Sequence, residues 1–334
     1  MGEWYLEQAQ NMPSLPASPW LNSAAPPEIS GRVTLLWVWD YTCINSLSML
    51  PVVREWHQRY ASLGVAVIGV HTPRFSFGRE LQQVAWAVQQ LNIRFPVYAD
   101  NDEYLWTALE NRFWPTVYLI DSEGAIRYRQ EGAGLFEQTE AALQQLIRDA
   151  FPHVDLPPII APPYAVRPSI TRRPTISEMR AGLRGGALGN PQGYAAGLPV
   201  LYQLPDEFSP EHFYVSGAWA AGDEFLSYQG RLEGLLLLNY AATQVYAVLS
   251  PHPDPVERTV HPAAVPVEIW QDDRPIPLER LGGDVLDDGR MVVDRPRVYQ
   301  LVQNPKTEPH TLTLRVRSPG FACYAFVFRA EFSE

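Results

Sequence analysis

Cys43 is the residue whose surroundings call for a chemical explanation. It stands just past the near-continuous apolar run from Gly31 to Trp39. Directly after it, Ile44, Leu47, Leu50, Val53, Trp56, Tyr60 and Leu63 recur at spacings of three and four. The run suits a strand buried on both faces, and the recurrence is one face of a helix. A cysteine at the first turn of a helix meets unsatisfied backbone N–H groups and the positive end of the helix dipole, and both favour thiolate over thiol. Such a thiol, if partly exposed, is a nucleophile at neutral pH. The bland alternative is an inert buried thiol. Ser46, three residues on, offers a hydroxyl where a second thiol could have stood.

The other reactive residue types carry less. Cys323 lies in Phe321-Ala-Cys-Tyr-Ala-Phe-Val-Phe328, apolar on both faces, and reads as core. The two cysteines fall in different halves of the chain, which is neither a disulfide framework nor a zinc site. The 7 histidines include no His-x-x-x-His pair, so neither a metal nor any other cofactor is expected. His71 has two readings, a tuner of the thiol or a hydrogen-bonded structural histidine. The balance of 26 basic against 37 acidic side chains, net −11, argues against nucleic acid as a partner. Apolar runs such as Leu235 to Leu238 are far too short for a membrane span. Met1 to Glu7 has neither part of a secretory signal, so the chain is expected to be soluble, cytoplasmic as written and extracytoplasmic if a signal or anchor was trimmed.

Elements that position Cys43 follow from hydrophobic periodicity. Gly64 ends the helix, and Val65 to Val70 supplies a second buried strand, completing a β-α-β unit. Helices are expected near 78–91, 102–110 and 137–150, with strands at Phe95 to Tyr98, Thr116 to Ile120 and Ala125 to Arg129, the last two joined by the turn Asp121-Ser-Glu-Gly124. The α/β unit so defined covers 31–150, preceded by an extended segment, 1–30. Seven prolines between Phe151 and Pro174, then a glycine-rich stretch, give a linker over 151–200. From 201 to 334 the helical period is replaced by about seven short strands separated by turns, which suggests an all-β sandwich or jelly roll. There Trp219, Tyr228, Trp270 and Tyr299 could form core or a platform for a glycan. The Asp272-Asp273 and Asp287-Asp288 turns read as solvated.

The run Trp37-Val-Trp39-Asp-Tyr41-Thr42-Cys43-Ile-Asn-Ser46-Leu-Ser-Met-Leu-Pro51 resembles the active-site segment of thioredoxin-like domains, most closely the DipZ/TlpA-like group, whose motif reads Tyr-Thr/Ser-Cys-Ile-Asn-Cys. Ile68 to Pro73, Tyr98 to Asp102 and Trp114 to Asp121 are similar to that group too. So are Ser216 to Trp219, Arg297 to Val302 and Cys323 to Phe328, which resemble its carbohydrate-binding-module-like sandwich. The resemblance implies an α/β thioredoxin-like fold, a mixed central sheet with flanking helices, followed by an all-β domain. It gives Pro115 the place of the family's cis-proline. Trp39, Tyr41, Thr42 and Trp114 are then expected to flank the thiol.

Two departures bear on function. Ser46 replaces the resolving cysteine, and Trp37 stands where the family has a buried acid, with Asp40 nearby. Their joint presence fits a natural monothiol site better than one engineered substitution. The resemblance then implies a single-cysteine thiol–disulfide oxidoreductase or isomerase. Cys43 attacks, Ser46 donates a hydrogen bond and Pro115 orients the partner, a disulfide- or thiol-containing protein or a low-molecular-weight thiol. A non-enzymatic protein- or glycan-binding scaffold and a thiol peroxidase are the competing readings.

Overall fold

The computed structural model describes residues 10–160, 178–260 and 264–330. The first nine residues of the expected lead-in, the middle of the expected linker at 161–177 and the last four residues of the sandwich lie outside them. The chain divides into two compact units, Met1–Pro168 and Ser169–Glu334.

In the first unit the apolar run forms β3 (Thr34–Trp39), entirely buried, between β4 (Ala66–His71) and β6 (Thr116–Ile120). β4 is parallel to β3, and β5 (Val97–Ala99) is parallel to β4, while β6 and its hairpin partner β7 (Ala125–Glu131) run antiparallel. Helices α1 (Ile44–Tyr60), α2 (Leu81–Gln90), α3 (Tyr104–Ala108) and α4 (Phe136–Ala150) connect or follow them. α1 runs through Pro51 and passes by a 3-10 turn into Gly64, whose φ of 89° closes it.

Residues before β3 are more than a lead-in. β1 (Gln10–Asn11) pairs with β7 and β2 (Trp20–Leu21) pairs with β5, so one segment adds a short strand to each edge of a seven-stranded sheet. Met12, Leu15, Trp20 and Ile29 pack on the cluster built from Leu36, Val38, Leu105 and Tyr118, which is why a proline-rich stretch is held in place. The other end is also longer than expected. Buried Glu140 on α4 accepts the N–H of Ile160 at 2.8 Å, and Gln144 donates to the carbonyl of Pro157 at 2.7 Å. The α/β unit thus includes residues assigned above to the lead-in and to the linker.

Among the described residues the second unit is all β apart from one short α-helix, Pro255–Val260, and a 3-10 turn, Leu278–Arg280. All seven expected strands are present, and residues 178–180, within the expected linker, and 199–202, across its end, form two more, pairing with the strands Ala322–Arg329 and Phe213–Ala221. Strand Phe213–Ala221 changes partners along its length. Residues 213–216 pair with Gly234–Ala241, and 217–221 pair with Pro199–Tyr202 and Leu226–Tyr228. The change falls at Gly217, φ 92°, where a side chain would crowd the Tyr228 ring.

Trp219, Tyr228 and Tyr299 are fully buried in this core, and the Trp270 ring is covered by the Arg315 guanidinium at 3.7 Å. Of the two readings, core holds for Trp219, Tyr228 and Tyr299, while Trp270 is partly buried, so the four rings make no shared platform. Cys323 is core, as its apolar neighbours indicated.

Candidate active site

β3 and β4 end side by side, with Trp39 in register with His71. The residue after β3 is Asp40, so the carboxylate emerges at the C-terminal edge of the parallel strands, where open α/β sheets place their sites. Its side chain is buried and builds the turn into α1. Oδ1 accepts the Thr42 N–H at 2.7 Å and the Thr42 hydroxyl, and Oδ2 accepts the Arg74 N–H at 3.1 Å. The carbonyl of Asp40 accepts the Cys43 N–H at 3.1 Å. Asp40 thus fixes the loop that carries the thiol with both its main chain and its side chain, an Asx-type arrangement written in the Asp-x-Thr spacing.

His71 Nε2 faces Asp40 Oδ2 at 3.4 Å, within ion-pair reach but without hydrogen-bond alignment, and the imidazole is wholly buried. Its ring stacks on Tyr41 at 5.4 Å and meets Trp39 edge-on. Burial alone would raise the Asp40 carboxyl; His71, then Arg74 and Thr42, outweigh it and leave the group below its ordinary carboxylate range.

Cys43 occupies the N-cap position of α1, and its carbonyl accepts the Leu47 N–H at 3.0 Å. Cysteine supplies no capping oxygen, so the first-turn donors of the helix are not consumed by its side chain. Sγ lies 3.6 Å from the carbonyl oxygen of Trp114, and the residue is 7% exposed. The Trp114–Pro115 peptide is cis, and Pro115 is buried. Ser46 is fully buried in the first turn, and its Oγ accepts the Asp40 N–H at 3.5 Å, a long bond.

Trp114 is placed by a chain of contacts. Asp100 accepts the N–H groups of Leu105 and Trp106 at 3.0 Å and the Thr72 hydroxyl at 3.0 Å, which sets the start of α3. Trp106 stacks on Trp114 at 4.1 Å, and the Trp114 indole N–H donates to the Thr72 carbonyl at 2.9 Å. Trp39 is elsewhere. It stacks on Trp37 at 4.9 Å, on the sheet face opposite the Leu36 and Val38 cluster that Trp114 packs against. Strand alternation separates the two tryptophans, so they do not form a shared collar around the thiol. Trp37 is likewise an ordinary core ring, and Gly69 makes room for Trp39.

Sequence reasoning named Cys43, Ser46, Pro115, Tyr41, Thr42 and Trp114, and the structure gathers these at the ends of β3, β4 and β6. It missed Asp100 and the Arg74 main chain, and it noted Asp40 and His71 without pairing them. Among the described residues no group of His, Cys, Asp and Glu could hold a metal ion, and no helix is long and apolar enough to cross a membrane.

A lone cysteine capping the helix after a central strand, beside a Trp-Pro loop, with an all-β unit following in the chain, defines a thioredoxin-like protein. Residues 182–328 match the family described as Thioredoxin like C-terminal domain. Protein DipZ of Mycobacterium tuberculosis (strain CDC 1551 / Oshkosh) is 35% identical over 262 residues, 74% of this chain and 36% of DipZ. Thiol-disulfide oxidoreductase YkuV of Bacillus subtilis (strain 168) is 27% identical over 143 residues, 42% of this chain and 96% of YkuV. These likenesses support a place for the chain in the DipZ/TlpA-like group of thioredoxin-like proteins. It spans about a third of the length of the DipZ proteins it matches.

Proposed function

We propose that this chain carries out thiol–disulfide exchange with Cys43 as the single nucleophile. The observation that supports it is the position of Cys43: N-cap of α1, with Sγ 3.6 Å from the Trp114 carbonyl. The Cys43 thiolate attacks one sulfur of a partner disulfide. A Cys43–S bond forms, the partner S–S bond breaks, and the partner's other sulfur leaves as a thiolate. Ser46 cannot resolve this mixed disulfide, because a hydroxyl is no substitute for a thiolate. An external thiolate, or the partner's own second one, attacks the partner sulfur and frees Cys43. Turnover of this kind favours isomerisation over net reduction, and the thiol–disulfide chemistry in YkuV's name is consistent with it.

The test is iodoacetamide labelling of Cys43 in the folded chain against the urea-unfolded chain at pH 7, with Cys43→Ser as the blank, followed by mass spectrometry after incubation with a disulfide peptide. Faster labelling in the folded state and a Cys43 adduct are expected. Slower labelling with no adduct would favour the scaffold reading instead, for which the 7% exposure of Cys43 is the supporting observation.

A further inference from the structure

We propose that the first unit carries a second binding site, separate from Cys43, for a small phosphate-bearing ligand, in the cavity between α1 and the loop that follows α2. The cavity holds about 740 Å³. Arg54, His57 and Gln58 line it from α1 at helical spacings of three and four, and Ser62 continues that wall on the 3-10 turn after α1. Asn92 and Arg94 line it from the loop.

Both walls are tied down. The Arg54 guanidinium donates through Nη1 to the Leu91 carbonyl at 3.2 Å, which joins helix to loop. Asn22 donates to the carbonyls of Ile93 at 2.7 Å and Phe95 at 3.2 Å, and Arg94 Nε donates to Asn92 Oδ1 at 3.1 Å. Beyond these bonds neither guanidinium meets a carboxylate among the described residues, and the side chains of Gln58 and Ser62 have no hydrogen-bond partner there. Glu55 is the one acid in the wall, and Arg59 engages it at 3.9 Å. In a chain of net charge −11, two guanidiniums left without a carboxylate in one cavity repel each other and give the fold nothing in return. A dianionic ligand converts that repulsion into charge-assisted hydrogen bonds. The α1 carbonyls of His57 and Tyr60, which would repel an anion, are taken by the N–H groups of Ala61 and Val65. Guanidinium forks match phosphate oxygens, and the free Gln58 amide and Ser62 hydroxyl add donors that a phosphate, with more oxygens than a carboxylate, can use.

The test is isothermal titration calorimetry of the full chain with inorganic pyrophosphate, and with succinate at the same ionic strength. Pyrophosphate is expected to bind with a Kd of about 1 mM or tighter, at least about tenfold more tightly than succinate. Arg54→Gln and Arg94→Gln should each weaken pyrophosphate about tenfold. Should Arg54→Gln lose its fold along with its bond to Leu91, Arg94→Gln, whose bond is to a neighbour in the loop, carries the comparison. Arg274→Gln removes the same charge from an exposed position in the second unit and should leave the Kd unchanged. Cys43→Ser should bind as the parent chain does, which keeps this result independent of the exchange reaction. Absence of binding at about 10 mM pyrophosphate, or succinate binding equally well, would overturn the proposal. So would an affinity unmoved by the cavity variants, or an equal loss in Arg274→Gln.

Discussion

The Asp40 carboxylate and the His71 imidazole face each other at 3.4 Å with both side chains closed to solvent, directly beneath the turn that carries Cys43. They are 31 residues apart in the chain, and only the parallel register of β3 on β4 brings them together. A buried carboxylate without partners would be expelled or neutralised; this one has Thr42, Arg74 and His71 around it. The pair couples the stability of the fold to the geometry of the thiol loop.

Asp40→Asn should therefore destabilise the first unit by on the order of 2 kcal/mol at pH 7, the scale for weakening hydrogen bonds to a buried charged group. The pH dependence has a definite sign. The Asp40 carboxyl lies below its ordinary value in the folded chain, so its contribution is complete above about pH 4 and is lost as pH falls through the folded value. Urea melts from pH 7 to pH 3 should show the wild type and Asp40→Asn converging at the acid end. A constant gap across that range would contradict the assignment.

Gly69 carries a second, sharper expectation. A Cβ there would stand 3.1 Å from Trp39 Nε1 and from Val97 Cγ2, and 3.2 Å from the Phe95 ring. None of these buried neighbours can swing away, so Gly69→Ala should cost ~1–3 kcal/mol by overpacking. Thermal melts followed by tryptophan fluorescence report it, because the Trp37–Trp39 stack is the element displaced. An unchanged melting temperature would mean that the pair is looser than the stacking distance indicates.

Legibility in the sequence followed the length of the repeating pattern. The apolar run to Trp39, the three-four spacing from Ile44 to Tyr60 and the seven longer β-domain strands were readable because each repeats over many residues. Two-residue strands such as Gln10–Asn11 and Trp20–Leu21 have no period to read, and their prolines suggested a free lead-in. Cys43 was legible from local context. The Asp40–His71 pair was not, since it depends on strand register. The separation of Trp39 from Trp114 was available in principle: Trp37 and Trp39 alternate with Leu36 and Val38, which fixes opposite faces.

The end of the α/β unit gives a third test. A fragment ending at residue 150 leaves Glu140 without the Ile160 N–H, Gln144 without the Pro157 carbonyl and Arg59 without the Pro158 carbonyl. Stranding buried polar groups should cost on the order of 2 kcal/mol relative to a fragment ending at 160. Paired denaturation curves of fragments 1–150 and 1–160 decide it. Equal midpoints would show that residues 157–160 are bystanders.

Ser46→Cys probes the chemistry most directly. Ser46 lies one helical turn from Cys43, fully buried, and the one described hydrogen bond of its hydroxyl is the long one from the Asp40 N–H at 3.5 Å. A thiol can occupy this place at little cost, because the bond it gives up is weak. It would then sit where intramolecular attack on the Cys43 mixed disulfide replaces attack by an external thiol. Well-positioned intramolecular groups act at effective concentrations far above those of any free thiol, so catalytic reduction of a peptide disulfide should rise by at least about tenfold. The Cys43 adduct, expected to be long-lived in the parent chain, should become hard to trap. Trp37 provides no carboxylate to take the new thiol's proton, so the gain should grow with pH as more of it ionises. If Ser46→Cys folds normally yet neither shortens the adduct lifetime nor raises turnover, Cys43 is not exchanging disulfides through this face of α1.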